Sequence, residues 1–164
     1  MKKLLLLRHA KSSWDDASLP DFERPLNERG RRAAPLMGEF MRRQKIRPDL
    51  VICSPARRTR ETIARVLEAA GMTTEVRYDE RIYEASVQAL LDVVSGIEED
   101  KLEVMLVGHN PGLENLLERL TGTAERMPTA ALAMITLNAE KWDEAQTKGG
   151  RLDRLVKAKE LAKR

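Results

Sequence analysis

"LLLLRHAKSSW", residues 4–14, decides how the rest of the chain is read. A short apolar run bounded by polar residues fits a strand buried on both faces, and four leucines are far too few to span a membrane. Such a strand belongs to a mostly parallel sheet covered by helices. In those sheets ligands bind beyond the carboxyl ends of the strands. The run stops at Arg8-His9. The pair is either a polar strand terminus or a site where His9 meets an anion that Arg8 neutralises.

The pattern repeats along the chain. "DLVICS" (49–54), "TEVRY" (74–78), "EVMLVG" (103–108) and "ALAMITL" (131–137) read as further strands. Between them lie helical stripes. Ala33, Met37, Phe40 and Met41 share one face behind a possible Asn27 cap, with Pro35 expected to kink that helix or delay its start. Ile63, Val66, Leu67 and Ala70 form a second stripe, ended by Gly71. Val87, Leu90, Leu91 and Val94 form a third, and Leu113, Leu116, Leu117 and Leu120 a fourth. Ser54-Pro55 and Asn110-Pro111 each read as a helix cap followed by proline at the first helical position. "WDDASLPDFERP" (14–25) reads as a loop, and the tail from Gly149 fits strand or helix. Alternating strands and helices define an α/β class.

Length and composition agree. The chain has 164 residues, within the usual range of about 100–200 for one domain. Hydrophobic residues make up 42% and charged residues 34%, a globular rather than a disordered balance. Cys53 is the one cysteine, so no internal disulfide forms and the cytoplasm is the expected compartment. No membrane segment is expected. Net charge is +3, but Thr147–Arg164 carries seven Lys/Arg against two Asp/Glu. That basic tail reads as a solvated surface, a steering patch for an acidic protein, or a nucleic-acid contact. Aromatic content of 4%, with no interleaved stacking residues, argues against nucleic acid.

The unusual polar residues gather at one sheet edge. Arg8-His9 follows the first strand, Ser54 to Arg58 the second, and Gly108-His109-Asn110 a later one. Both of the chain's histidines stand at such ends. A phosphoryl group there would need its oxygens neutralised and its geometry fixed. Arg58, on the first turn of its helix, can fork two oxygens as a lysine cannot. His9 can act as nucleophile if neutral and held in one tautomer, and His109 can donate a hydrogen bond. A histidine nucleophile requires no metal, and no cofactor is expected.

The ordered set "LLLLRHAKSSW", "PLNERG", "SPARRTRET", "DERIYEA" and "LVGHNPGLE" resembles the histidine phosphatase superfamily, which includes phosphoglycerate mutases and compact SixA-type phosphohistidine phosphatases. The matching positions are Arg8-His9, Ser54/Arg58/Thr62 and His109. The resemblance implies one domain over residues 1–164, three-layered, with a mostly parallel central sheet flanked by helices in the phosphoglycerate mutase-like manner. It implies that His9 is the phosphorylated nucleophile and that Arg8, Arg58 and His109 form the phosphate pocket. Glu80 matches the position of a carboxylic proton donor in many relatives, with Glu84 as competitor. The short chain resembles the SixA-type branch. The implied activity is a metal-independent phosphatase acting on phosphohistidine in a partner protein of the histidine-containing phosphotransfer type. The alternative substrates are small phosphoesters or phosphoserine/threonine proteins. Two departures stand out. Ala10 replaces the usual glycine, where its methyl is expected to narrow the pocket floor. Asp15 stands where mutases tend to carry a phosphate-contacting Asn, which counts against mutase activity.

Rival chemistries fit less well. Tyrosine phosphatases use Cys-x5-Arg, but Cys53 to Arg58 is one residue short, so Cys53 reads as a core residue. His9, His109 and Cys53 lack the local chelating pair expected of a zinc site. A phospho-ligand binding module without turnover has no need of His9.

Overall fold

The computed structural model describes residues 1–162. The elements run β1 (Lys3–Arg8), α1 (Glu28–Gln44), β2 (Leu50–Cys53), α2 (Arg57–Ala70), β3 (Val76–Tyr78), α3 (Val87–Ser95) and β4 (Glu103–Gly108). They continue with α4 (Gly112–Thr121), β5 (Leu132–Leu137), α5 (Ala145–Lys148), β6 (Gly150–Val156) and α6 (Ala158–Leu161). The six strands form one sheet in the order β3-β2-β4-β1-β5-β6. β1 to β4 run parallel, β5 is antiparallel to both neighbours, and β6 therefore returns to the direction of β1.

The four leucines of β1 show why the sheet is buried on both faces. Successive strand side chains point to opposite faces. Leu4 and Leu6 pack with α3, α4 and Trp142, whereas Leu5 and Leu7 pack with α1 and α2. This gives three layers with β1 and β4 at the centre. The ambiguous tail resolves into edge strand β6 and the single helical turn α6; Lys163 and Arg164 lie outside the described residues. Among the described residues, no helix is long and apolar enough to cross a membrane.

Three local expectations are corrected. α1 runs unbroken through Pro35, with Asn27 Oδ1 accepting the Gly30 N–H at 2.9 Å as the expected cap. Burial of Ala34, Met37, Phe40 and Met41 outweighs the local cost of the proline, roughly 3 kcal/mol. α2 begins after Ala56 rather than Ser54, and α4 after Pro111 rather than Asn110. In both cases the polar side chain expected to cap is engaged by tertiary partners, described below.

α1 crosses α2 at Gly38. A Cβ there would lie 2.3 Å from the Val66 carbonyl oxygen and 2.8 Å from the Ala69 methyl, so the backbone itself must move to admit one. Gly38→Ala should therefore destabilise the fold by about 1–3 kcal/mol despite improving helix propensity. A lowered urea midpoint at unchanged m checks this, and an unshifted midpoint contradicts it.

Candidate active site

Register builds the site. Arg8 of β1 pairs with Gly108 of β4, so the next residues, His9 and His109, emerge side by side. Cys53 of β2 pairs with Val107, which brings Ser54 alongside the same edge. The His9 N–H donates to the Gly108 carbonyl at 3.1 Å, and the Ser54 N–H to the Val107 carbonyl at 2.9 Å. The imidazole centroids are 5.3 Å apart. Arg8, His9, Arg58 and His109 line one cavity of about 220 Å³, together with Ser12, Trp14 and others.

His9 is held in one tautomer. Its Nδ1 lies 2.7 Å from the Ala10 carbonyl oxygen. A carbonyl can only accept, so we assign the proton to Nδ1, which leaves the Nε2 lone pair free. Burial lowers the His9 pKa to about 3, with the nearby His109, Arg58 and Arg8 adding to the effect against the bond to Ala10. Burial likewise lowers His109 to about 4, helped by Arg58. Both rings are neutral at neutral pH.

The neighbours of His9 fix its loop. Ala10 N–H donates to Thr62 Oγ1 at 2.9 Å, and that hydroxyl donates to the Arg58 carbonyl at 2.6 Å. Thr62 thus ties the end of β1 to α2. The Ala10 methyl is fully buried in the core shared with α1 and α2, so it does not narrow the pocket floor as expected. Asp15 is exposed and outside the cavity lining.

Arg58 Nη1 donates to the Asp21 carbonyl at 2.8 Å, and its Nη2 to Asp21 Oδ2 at 3.0 Å. Partial burial opposes ionisation of Asp21, but bonds from Tyr83, Arg58 and Arg24 prevail and hold its carboxyl down at about 2. Tyr83 donates to the same carboxylate at 2.6 Å and sets its ring edge-on to His109 at 5.5 Å. Arg24, 7% exposed, bonds Asp21 and Ser12, stacks over Trp14 at 3.6 Å and lines the cavity. Sequence reasoning missed Asp21, Arg24 and Tyr83. The first two lie within the stretch read as a loop, where no periodicity or motif marks them.

Ser54 and Asn110 are the would-be caps. Ser54 Oγ accepts the Ala56 N–H at 3.3 Å and lies 2.8 Å from His109 Nε2. Asn110 Nδ2 donates to Met127 O and to Glu114 Oε2, each at 2.9 Å. Met127 O also receives Arg8 Nη1 at 3.1 Å, so Glu114 and Asn110 position the Arg8 side chain indirectly. Arg8 Nε, Arg58 Nε and His109 Nδ1 are buried without hydrogen-bond partners among the described residues. Nitrogens of this kind are what anionic oxygens satisfy.

Glu80 is not brought into this group. It is exposed at the start of the helical turn Glu80–Ile82, which buries only Ile82, and does not line the cavity; Glu84 is likewise exposed outside it. "DERIYEA" contributes Tyr83 instead. The Cys53 thiol is buried, and burial pushes its pKa up to about 12, which leaves it protonated and unreactive at neutral pH. Among the described residues no group of three or more His, Cys, Asp or Glu side chains is placed to hold a metal ion.

With two histidines in the chain, an ¹⁵N titration followed by NMR reports each ring directly. Both should stay neutral from about pH 8 down to about pH 5, and His9 should show the Nδ1–H tautomer. An unfolded chain takes up these protons below about pH 6.5 while the native chain does not, so acidification from there down destabilises the fold. A midpoint near 6.5 for either ring would contradict the burial argument.

Fold and site together define an α/β protein that gathers two neutral imidazoles and several guanidinium groups at the carboxyl edge of its sheet, an arrangement suited to phosphoryl groups. The profile of the histidine phosphatase superfamily (branch 1) matches residues 4–91. The chain belongs to that superfamily and is a phosphatase of its compact SixA-type branch. A Mycobacterium tuberculosis (strain H37Rv) protein of unassigned function is 31% identical over 151 residues, spanning 85% of this chain and 92% of the relative. A crystal structure from Agrobacterium tumefaciens, provisionally assigned as the phosphohistidine phosphatase SixA, superposes with a TM-score of 0.82 at 29% identity, covering 94% of this chain and 97% of that one. Phosphoserine phosphatase 1 of Hydrogenobacter thermophilus is 34% identical over 86 residues, 51% of this chain and 39% of the relative.

Proposed function

We propose that this phosphatase removes the phosphoryl group from phosphohistidine in a partner protein, through a phosphoenzyme on His9. The observation that carries the reading is the tautomer of His9. With Nδ1–H committed to Ala10 O, the Nε2 lone pair is free to attack phosphorus. The bond from phosphorus to the leaving nitrogen breaks, and that nitrogen keeps the electron pair, so the substrate ring departs neutral with a solvent-derived proton on its other nitrogen. Water then attacks phospho-His9, releasing inorganic phosphate and restoring the neutral ring. Arg8, Arg58 and His109 hold the phosphoryl oxygens throughout, and the charge they offset is greatest in the transition state.

The leaving group favours phosphohistidine. An alkoxide needs a proton delivered as it departs, whereas an imidazole can take one from solvent at its second nitrogen. Glu80, the sequence candidate for proton donor, is exposed and outside the cavity lining, which suits a substrate that needs no acid from the enzyme. A second reading, hydrolysis of small phosphoesters or phosphoserine/threonine proteins, draws support from the phosphoserine phosphatase relative.

A substrate panel tests the choice. A phosphorylated histidine-containing phosphotransfer domain should give a kcat/KM well above that of p-nitrophenyl phosphate and phosphoserine. Glu80→Gln should change its turnover by less than about threefold, small against the ~10²–10⁴ expected for losing a general acid. Preference for the esters, or a large loss in Glu80→Gln, would favour the second reading.

A further inference from the structure

A second cavity, of about 540 Å³, opens beside the catalytic pocket, and Lys11 and Thr129 line both. The shared rim is fixed to the His9 segment. Lys11 lies two residues beyond His9, and its carbonyl accepts the Asn27 N–H at 3.0 Å. Gly30 backs onto Lys11 so closely that a Cβ there would lie 2.2 Å from its carbonyl oxygen. Thr129 precedes Ala130, whose N–H donates to the His9 carbonyl at 2.9 Å. The groove is thus a built extension of the pocket, running between α1 and α6.

Its chemistry is one-sided. Ala33, Leu36 and Ala158 give it an aliphatic floor. Lys11, Arg29, Arg32, Lys157 and Lys159 give it cationic walls. Arg32 pairs with Glu28 at 3.4 Å, while the other four form no ion pair among the described residues. Uncompensated cations around a concave surface focus a positive potential and favour an anionic occupant.

We infer that this groove docks an acidic segment of the phosphoprotein substrate, adjacent in that substrate to the phosphorylated residue and carrying apolar side chains that seat on the floor. The inference rests on the phosphoprotein reading above. It assigns Lys157 and Lys159 of the basic C-terminal segment to substrate selection rather than to bulk solvation. An acidic polypeptide fits better than a nucleic acid, because bases bind by stacking on aromatic rings and the described lining is aliphatic and cationic.

Two fluorescent peptides of equal length test it, each with one central histidine. In one the flanks carry Asp, Glu and Leu; in the other every acid is replaced by Gln. Anisotropy with the unphosphorylated peptides reads binding without turnover. At low ionic strength the acidic peptide should bind on the order of tenfold more tightly, and the preference should fade near 1 M salt, where screening acts over about 3 Å. Arg29→Glu combined with Lys159→Glu should abolish the preference and leave hydrolysis of p-nitrophenyl phosphate unchanged, since neither residue lines the catalytic pocket. If the double reversal fails to fold, Arg29→Gln with Lys159→Gln gives the same reading with a smaller charge change. Equal binding of the two peptides, survival of the preference in the variants, or tighter binding of a single-stranded oligonucleotide of matched charge would overturn the inference. Phosphorylating the central histidine then tests the substrate reading separately. An acidic preference without phosphohistidine hydrolysis would remove that reading and leave the groove standing.

Discussion

His9→Ala should yield no trapped phosphoenzyme and a turnover reduced by roughly 10⁴–10⁶-fold, the scale of losing a nucleophile whose partners remain. In the wild type, rapid quenching with ³²P-labelled substrate should trap a label that survives base and is lost in acid, the behaviour of a phosphoramidate. The Ala10 carbonyl fixes the proton on Nδ1, and burial, which lowers the ring's pKa to about 3, keeps it neutral at neutral pH. The free nitrogen needs no separate base to activate it. His109, the other imidazole, is 2.8 Å from Ser54 Oγ through its own Nε2, which suits it to orienting the substrate rather than to attack. His109→Ala should therefore slow labelling without abolishing it. A base-stable, acid-labile label that persists in His9→Ala would place the nucleophile elsewhere and sink the mechanism.

Arg58→Ala should lower kcat by about 10²–10³-fold, while Arg57→Ala changes it little. The two side chains are sequence neighbours with opposite surroundings. Arg57 is exposed and paired with Glu61 at 3.0 Å on the helix surface, a contact of minor energetic weight. Arg58 is 6% exposed, aimed by both the carbonyl and the carboxylate of Asp21, and lines the pocket. Its planar fork is preorganised before substrate arrives. Arg58→Lys should recover little, because a point charge cannot hold two oxygens at fixed spacing while also meeting Asp21. Arg8→Ala and Arg58→Ala should combine non-additively, since both act on one phosphoryl group. Stopped-flow or steady-state assays of the four single variants and the Arg8→Ala/Arg58→Ala double decide the matter. Equal losses in Arg57→Ala and Arg58→Ala would mean that the helix register assumed for the pocket is wrong.

The parts of the site legible in the sequence were those that depend on where strands end. An apolar run that stops at a polar residue marks a strand terminus, and parallel pairing aligns the termini of neighbouring strands, so His9, Ser54 and His109 could be grouped from three separate motifs. The parts that were not legible depend on which distant atom a side chain finds. Ser54-Pro55 and Asn110-Pro111 look like helix caps over a window of two residues. Folding instead gives the Ser54 hydroxyl to His109 and the Asn110 amide to Met127 and Glu114. Asp21 reaches Arg58 across 37 positions and Tyr83 across 62, and no local rule encodes either pairing. Pro35 misled for a related reason: a helix-breaking propensity is a local term, and the buried face of α1 outweighs it. Glu80, singled out by resemblance rather than by local pattern, stands exposed outside the cavity lining, and its neighbour three residues on, Tyr83, is the residue packed edge-on to His109.

The order of the strands in the sheet also bears on how the enzyme is made. Arg8, His9, Arg58 and His109 have all been synthesised by the time residue 109 leaves the ribosome's peptidyl transferase centre. Yet the Arg8 guanidinium leans on the Met127 carbonyl, the His9 carbonyl receives the Ala130 amide, and β1 is flanked by β5. A nascent chain therefore carries these four side chains for about twenty residues of translation before the segment that braces them exists. Until that segment is made, the Arg8 side chain, the His9 carbonyl and the open edge of β1 lack the partners they meet in the fold.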